Sequence, residues 1–300
     1  MKFSYKYIIV GAGSAGCVLA NKLSENPDNS VLLIEAGPLD KSSSIKMPLA
    51  ASSLFKHKKY GWCYETEPER NLNNRTINWP RGKTLGGSSS INGMLYIRGQ
   101  AEDYQIWKEA GNDGWGYRDL MKYFLSLENN QNYEDQYHGN FGPLWVETYQ
   151  PILDASKKFL NACDEYGLKR NNDFNGEDQE GFGRYQVNIK NGNRFSAADA
   201  FLKPILKRPN LDLITNTLVE KIIITNKKVI GVKAKNKKGS KVIGCSGEVT
   251  LSGGSINSPQ ILMLSGIGPK KHLDDLKIPL VKNLAGVGKN LQDHLTVNVS

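Results

Sequence analysis

The stretch GAGSAG, Gly11 to Gly16, leaves little freedom in what this chain can fold into. It stands with no spacer between a β-branched run, KYIIV, and the segment SAGCVLANKLSEN, whose apolar residues recur at helical spacing. A chain that turns from buried strand to helix within so few residues needs glycine for the turn and for the close approach of helix to strand. The helix is predicted to stop at Asn26-Pro27, and SVLLIEAG reads as a second buried strand closed by glycine. A GxGxxG in that setting predicts a nucleotide-binding unit. The helix amino terminus offers free N–H groups and a favourable dipole to a pyrophosphate. Gly11, Ala12, Gly13, Ser14, Ala15 and Gly16 are therefore candidate cofactor-binding residues. So are Glu35, 24 residues beyond Gly11, whose carboxylate suits a ribose hydroxyl pair, and its neighbour Ala36. At this point NAD and FAD are both open.

The rest of the composition mainly removes other classes. Three hundred residues suit one large α/β unit with an inserted second region. No apolar run is long enough to cross a bilayer, and the patch Ile8–Val10 is too short for a signal peptide, so a cytoplasmic location is the default. Cys17, Cys63, Cys163 and Cys245, like His57, His138, His272 and His294, are scattered without ligand spacing, so neither a disulfide framework nor a metal site is expected. The formal charge of +9 raises nucleic acid as a partner. Much of that excess, however, lies in EKIIITNKKVIGVKAKNKKGSKV, where lysines punctuate β-type alternation without interleaved aromatics. A solvated sheet face is the expectation there, with peripheral attraction to an anionic inner-membrane surface as a minor option and nucleic acid excluded.

Along the chain, residues 38–79 read as irregular and polar, with a Tyr/Trp-rich patch YGWCYETEPE. Helices are predicted over AEDYQIWKEAG, GWGYRDLMKYFLSLEN and ILDASKKFLNACDEYG, and a short helix over NRFSAADAFLKPIL stopped by Pro209. LDLITN, LVEKIIIT, VIGVKAK and SKVIGCSGEVTLSG read as successive strands of a meander, followed by a glycine turn into a helix.

A simple NAD dehydrogenase would continue with alternating strands and helices, whereas here the second strand gives way to an irregular segment and then a serine-glycine loop. PRGKTLGGSSSINGMLYIRG, GGSINSPQILMLSGIGP and GVGKNLQDH, in this order and spacing, resemble the signatures of the glucose-methanol-choline (GMC) oxidoreductases, closest to choline dehydrogenase-like and alcohol dehydrogenase members. The resemblance implies an α/β fold: an FAD-binding Rossmann-like (ββα) domain with a β-meander, plus part of an α+β substrate domain. Residues 1–40, 76–150 and 205–300 would form the discontinuous FAD-binding domain, and 41–75 and 151–204 a lid and partial substrate domain. It implies oxidation of choline or a primary alcohol, with hydride passing to flavin N5 and electrons then to a quinone-type acceptor or oxygen.

By the same resemblance Gly86, Gly87 and Ser88 would bring backbone against the flavin ring, while Asn92, Gly93 and Met94 would lie near its reactive edge. Arg81 and Thr84 would fix the loop, and Val219 would meet the adenine end through its backbone. Relatives that attach FAD covalently do so through a histidine just before the asparagine. Ile91 stands there instead, so FAD is expected to be non-covalent. Trp62 either shapes the entrance or is core. Asn257, Ser258 and Pro259 are expected to cap the helix PQILMLSG, whose amino terminus would lie close to the cofactor's phosphates or ring, and Arg194 and Ser196 to start another. Asp293 and His294 are expected to be structural. The resemblance places the catalytic base, a histidine, in a carboxyl-terminal segment that nothing here matches, so no catalytic residue is assigned. The chain is expected to be the amino-terminal part of a longer enzyme, with a non-catalytic or split-enzyme flavin-binding fragment as the alternative.

Overall fold

The computed structural model describes residues 4–294 and 296. The opening motif folds as expected: strand β1 (Ser4–Val10), helix α1 (Ser14–Leu23) and strand β2 (Val31–Ile34), with β1 and β2 parallel. All four residues of β2 are buried, as a parallel strand covered on both faces requires. Helix α1 ends three residues before Asn26. The Ser24 hydroxyl donates to the Ala20 carbonyl at 2.6 Å and the Asn29 amide to the Leu23 carbonyl at 2.9 Å, so side chains take over the last turn.

Strands β3 (Leu211–Ile214), β4 (Leu218–Thr225), β5 (Lys228–Asn236) and β6 (Gly239–Leu251) complete a six-stranded mixed sheet of order β3-β2-β1-β6-β5-β4. The expected four-strand meander is corrected here. LDLI crosses to the far edge and lies parallel to β2, leaving three antiparallel strands. Spacing alone does not distinguish the two, because β3 is bounded by turn residues at both ends like its neighbours. The thirteen residues of β6 serve two partners. Gly239–Gly244 pair antiparallel with β5, and Gly244–Leu251 pair parallel with β1, in register Ser4 with Gly244 and Val10 with Leu251.

Alternation along β1 and β2 divides the core. Ile9, Val31 and Leu33 pack with Cys17 and Ala20 of α1 and with Ala198, Phe201 and Leu202. Ile8, Val10, Leu32 and Ile34 face the opposite side with Val219, Val232, Ala234 and Ile243, covered by Ile261 of a later helix. The NRFSAADAFLKPIL segment is a π-type turn over Ala198–Leu202 running into a 3-10 turn over Lys203–Ile205, rather than an α-helix. Pro204 has no N–H for the next helical bond and its ring crowds the preceding turn, which accounts for the change of winding.

Helices α2 (Ala101–Glu109), α3 (Tyr117–Leu127) and α4 (Asp154–Glu165) lie outside the sheet. Asp293 and His294 have no regular structure. Among the described residues no helix is long and apolar enough to cross a membrane.

The region between the helices is held by buried charge. The His138 ring is fully enclosed, with Nδ1 3.0 Å from Glu128 Oε1 and Nε2 2.8 Å from Asp173 Oδ2, and Glu128 also accepts from Arg98. Two carboxylates on one imidazole outweigh its desolvation and raise its pKa from 6.5 to about 9. A group whose pKa rises on folding stabilises fully below its unfolded value and loses that contribution as pH climbs through its folded value. Urea midpoints should therefore fall between pH 6.5 and 9 by up to about 3 kcal/mol of stability, and His138→Gln should flatten that slope. An unchanged slope in His138→Gln would show that His138 does not carry it.

Candidate functional site

Three glycine-bearing loops converge at the carboxyl ends of β1, β2 and β6. Ser252–Gly254 follow β6 directly and open helix α5 (Gly254–Leu264). A Cβ on Gly11 would stand 2.5 Å from the Ser252 carbonyl oxygen, and one on Gly87 would stand 2.7 Å from Gly13 Cα. Gly86 N–H donates to the Ala12 carbonyl at 2.8 Å. The glycines thus let backbone lie on backbone, and the surface they leave is made of peptide groups.

That surface borders a cleft of about 900 Å³, within the usual size of small-molecule sites. Of the residues expected to hold a cofactor, Gly11, Gly13, Ser14, Ala15, Glu35, Ala36, Arg81, Gly87, Ser88 and Val219 line it. Six do not. Ala12 is buried and gives its N–H to Glu35 Oε2 at 2.8 Å, and Gly16 packs under Gly11, where a Cβ would meet the Gly11 carbonyl oxygen at 1.9 Å. Thr84 is buried and donates to the Pro38 carbonyl at 2.9 Å. Asn92 and Gly93 are exposed one turn beyond Ser88, and Met94 is buried with φ +62°. Trp62, Asn257 and Ser258 also border the cleft.

Helix α1 presents its first turn to the cleft with no side-chain cap and no acidic residue, so its leading N–H groups are unclaimed and its dipole uncompensated. Helix α5 begins the same way from the other side. It starts at Gly254, earlier than expected, which puts Asn257, Ser258 and Pro259 inside the helix instead of at its cap. Ser258 still reaches back, accepting the Gly253 N–H at 3.1 Å. Pro259 has no N–H, so the Ser255 carbonyl beside the cleft lacks its helical donor.

Glu35 is buried, and burial pushes its carboxyl up against the opposing pull of the Gly37 and Ala12 N–H groups, each at 2.8 Å. Each oxygen keeps a second lone pair for a ligand hydroxyl. Cys17 behind the turn is held by burial at a pKa of about 12, so it is no nucleophile.

At the outer wall Trp62 and Tyr64 stack at 5.8 Å with Lys83 Nζ 4.6 Å from the Trp62 ring centre, and Tyr64 donates to Asn257 Oδ1 at 2.5 Å. Sequence reading missed Tyr64, Thr217, Lys221 and Lys233 as lining residues, and it brought the amino terminus of the helix after β6 to the cofactor without naming Ser252–Ser255. The last group carried a usable signal, because strand, glycines and helix repeat there the grammar of Gly11–Gly16. Lys221 and Lys233 face each other in the β4–β5 register, which only strand pairing reveals. Among the described residues no cluster of His, Cys, Asp and Glu could hold a metal ion.

A mixed α/β sheet with two uncapped helix amino termini and a buried carboxylate at its carboxyl edge defines a dinucleotide-binding protein of the Rossmann type. More narrowly, residues 5–296 match the GMC oxidoreductase family model, and the chain belongs to the GMC oxidoreductases. It is 49% identical over 298 residues to an alcohol dehydrogenase [acceptor] of Pseudomonas putida, covering 98% of this chain and 54% of that protein. It is 45% identical over 289 residues to an oxygen-dependent choline dehydrogenase of Rhizobium etli, covering 96% and 52%. Pyridoxine 4-oxidase from Mesorbium loti superposes with a TM-score of 0.90 at 34% identity, over 94% of this chain and 56% of that one. An FAD-dependent oxidoreductase from Chaetomium thermophilum gives 0.87 at 33%, over 94% and 51%. The chain spans about half the length of the curated relatives it matches.

Loop packing makes a paired test. Gly87→Ala, which drives a side chain into Gly13, should cost about 2–4 kcal/mol in urea unfolding. Gly254→Ala, with φ +81° but no atom within 4 Å of the new Cβ, should cost only about 1–2 kcal/mol. Equal costs would show that close approach is not what Gly87 supplies.

Proposed function

We propose that this chain is the FAD-binding part of an enzyme that oxidises the CH–OH group of choline or a primary alcohol. The observation that carries the reading is the uncapped amino terminus of α1 at a cleft walled by peptide groups, in a member of the GMC oxidoreductases. The donor set fits the group. Ser14 and Ala15 N–H groups would hold the pyrophosphate, Glu35 the ribose hydroxyls, and Val219 the adenine end. Gly87 and Ser88 would lie along the ring system, with Arg81, over the Trp79 ring at 5.0 Å, at the margin. Bound FAD supplies the hydride-accepting chemistry, and the protein supplies position and charge. Ile91 is buried among Ile45, Leu54 and Tyr60 and has no nucleophilic atom, which supports non-covalent attachment.

The domain division, with residues 41–75 and 151–204 as lid and substrate region, belongs to the same proposal. So do a quinone-type or oxygen acceptor and a cytoplasmic location with peripheral contact at the inner membrane. No residue of this chain is assigned as catalytic base.

FAD titration followed by quenching of flavin fluorescence tests the cofactor, and Ala15→Asp sharpens the test. Ala15 is exposed in the first turn of α1, where an acid favours the helix dipole, so stability should hold or rise by about 0.5 kcal/mol. The same charge opposes the pyrophosphate, and FAD affinity should fall by about tenfold or more. Parent-like affinity in Ala15→Asp would remove the phosphates from this helix end.

A further inference from the structure

We propose that Arg194 is a positioning residue that sets the side-chain amide of Asn92 with its Nδ2 outward, as a hydrogen-bond donor to the group bound at the Gly87–Ser88 end of the cleft. The inference rests on the flavin reading above and adds to it a residue that does not itself line the cleft.

Arg194 is 1% exposed and has no carboxylate on its guanidinium. Its Nε donates to the Ile45 carbonyl at 2.8 Å, and its Nη1 to the Ser89 carbonyl at 3.2 Å and to Asn92 Oδ1 at 2.8 Å, while Nη2 is buried without a partner among the described residues. Burial outweighs the opposing pull of the Asp199 charge and draws its pKa down to about 10, so the group stays a cation in physiological conditions. A fixed charge in so dry a place is costly to keep.

The Ala197 N–H meets Ser89 Oγ at 3.0 Å, so residues 194–197 grip the serine-glycine loop at two successive points. Asn92 is where this grip reaches solvent. Its Oδ1 accepts from Arg194 Nη1 and from the Met94 N–H at 3.1 Å, and two donors on one atom fix which end of the amide is oxygen. The Nδ2 end is then the free one, on an exposed residue whose own N–H returns to the Ser88 carbonyl at 2.9 Å, with Ser88 on the cleft. A donor held this way costs little to orient when an acceptor arrives. The expected acceptor is a ring nitrogen or carbonyl oxygen of the bound flavin.

Asn92→Asp separates this role from a structural one, because a carboxylate keeps the acceptor for Arg194 and Met94 while losing the outward donor. In the protein at its full natural length, Asn92→Asp, which also gives Arg194 a carboxylate partner, should unfold at or above the parent's urea midpoint, bind FAD about tenfold more weakly and shift the absorption spectrum of the bound flavin. Arg194→Met should give the same spectral shift, Arg194→Lys should restore part of it, and the double variant Asn92→Asp with Arg194→Met should exceed neither single change. Parent-like affinity and spectrum in Asn92→Asp would overturn the proposal while leaving the flavin reading intact. Failure of the parent itself to bind FAD would overturn both.

Discussion

Backbone resting directly on backbone, where β1, β6 and the serine-glycine loop meet, is the contact on which the rest of this molecule depends. Gly11 against Ser252 and Gly87 against Gly13 bring together segments far apart in sequence at distances no side chain tolerates. Because nothing intervenes, helices α1 and α5 start at one level and aim their unclaimed N–H groups into the same space. The cost is the conformational entropy of several glycines, offset by the core on both faces of the sheet. A methyl group at one of these contacts would prise apart two loops and tilt a helix end away from the cleft.

Charge does the holding where apolar burial is thin. Besides the enclosed His138 group, Asp40 and Asp199 alternate with Lys46 and Lys203, with Lys203 Nζ 2.5 Å from Asp40 and 2.8 Å from Asp199. Lys46 and Lys203 keep the Asp199 carboxyl at about 2, against its own desolvation, so that carboxylate stays ionised across the ordinary pH range. The ring ties the segment after β2 to the π-type turn under α1. Helices α2 and α3 by contrast bury no residue completely, and they meet where the Tyr104 ring lies against Tyr117 and Phe124.

Legibility in the sequence followed the range of the interaction. Strand, glycine turn, helix and strand over the first 34 residues are local, and the structure has them with only the end of α1 moved. Of the ten expected residues that line the cleft, Gly11, Gly13, Ser14, Ala15, Gly87 and Ser88 come from motifs whose chemistry is carried by backbone, which a glycine pattern reports. Glu35 is legible from its carboxylate, and Arg81 and Val219 only from the family resemblance. Ala12, Gly16 and Thr84 were grouped with these by adjacency but turn inward, because a tight turn needs residues beneath it as well as above. The crossing of β3 to the far edge, the facing pair Lys221 and Lys233, and the winding change before Pro204 depend on partners remote in sequence. Arg194 reads as a helix start because its three acceptors lie 102 to 149 residues earlier in the chain.

The double pairing of β6 bears on how such a chain is made. Ser4 finds its partner only at Gly244, so a nascent chain emerging from the ribosome carries β1 with one edge satisfied by β2 and the other open until the last strand of the meander is synthesised. During that interval the exposed edge is a template for pairing with any other strand, and the order of synthesis sets how long the hazard lasts. Pairing of β6 with β5 joins neighbours in sequence, a short-range contact that favours assembly of the meander before it meets the waiting edge. Closure of the sheet and construction of the cleft are then one and the same event, and a ligand that binds there favours the closed sheet.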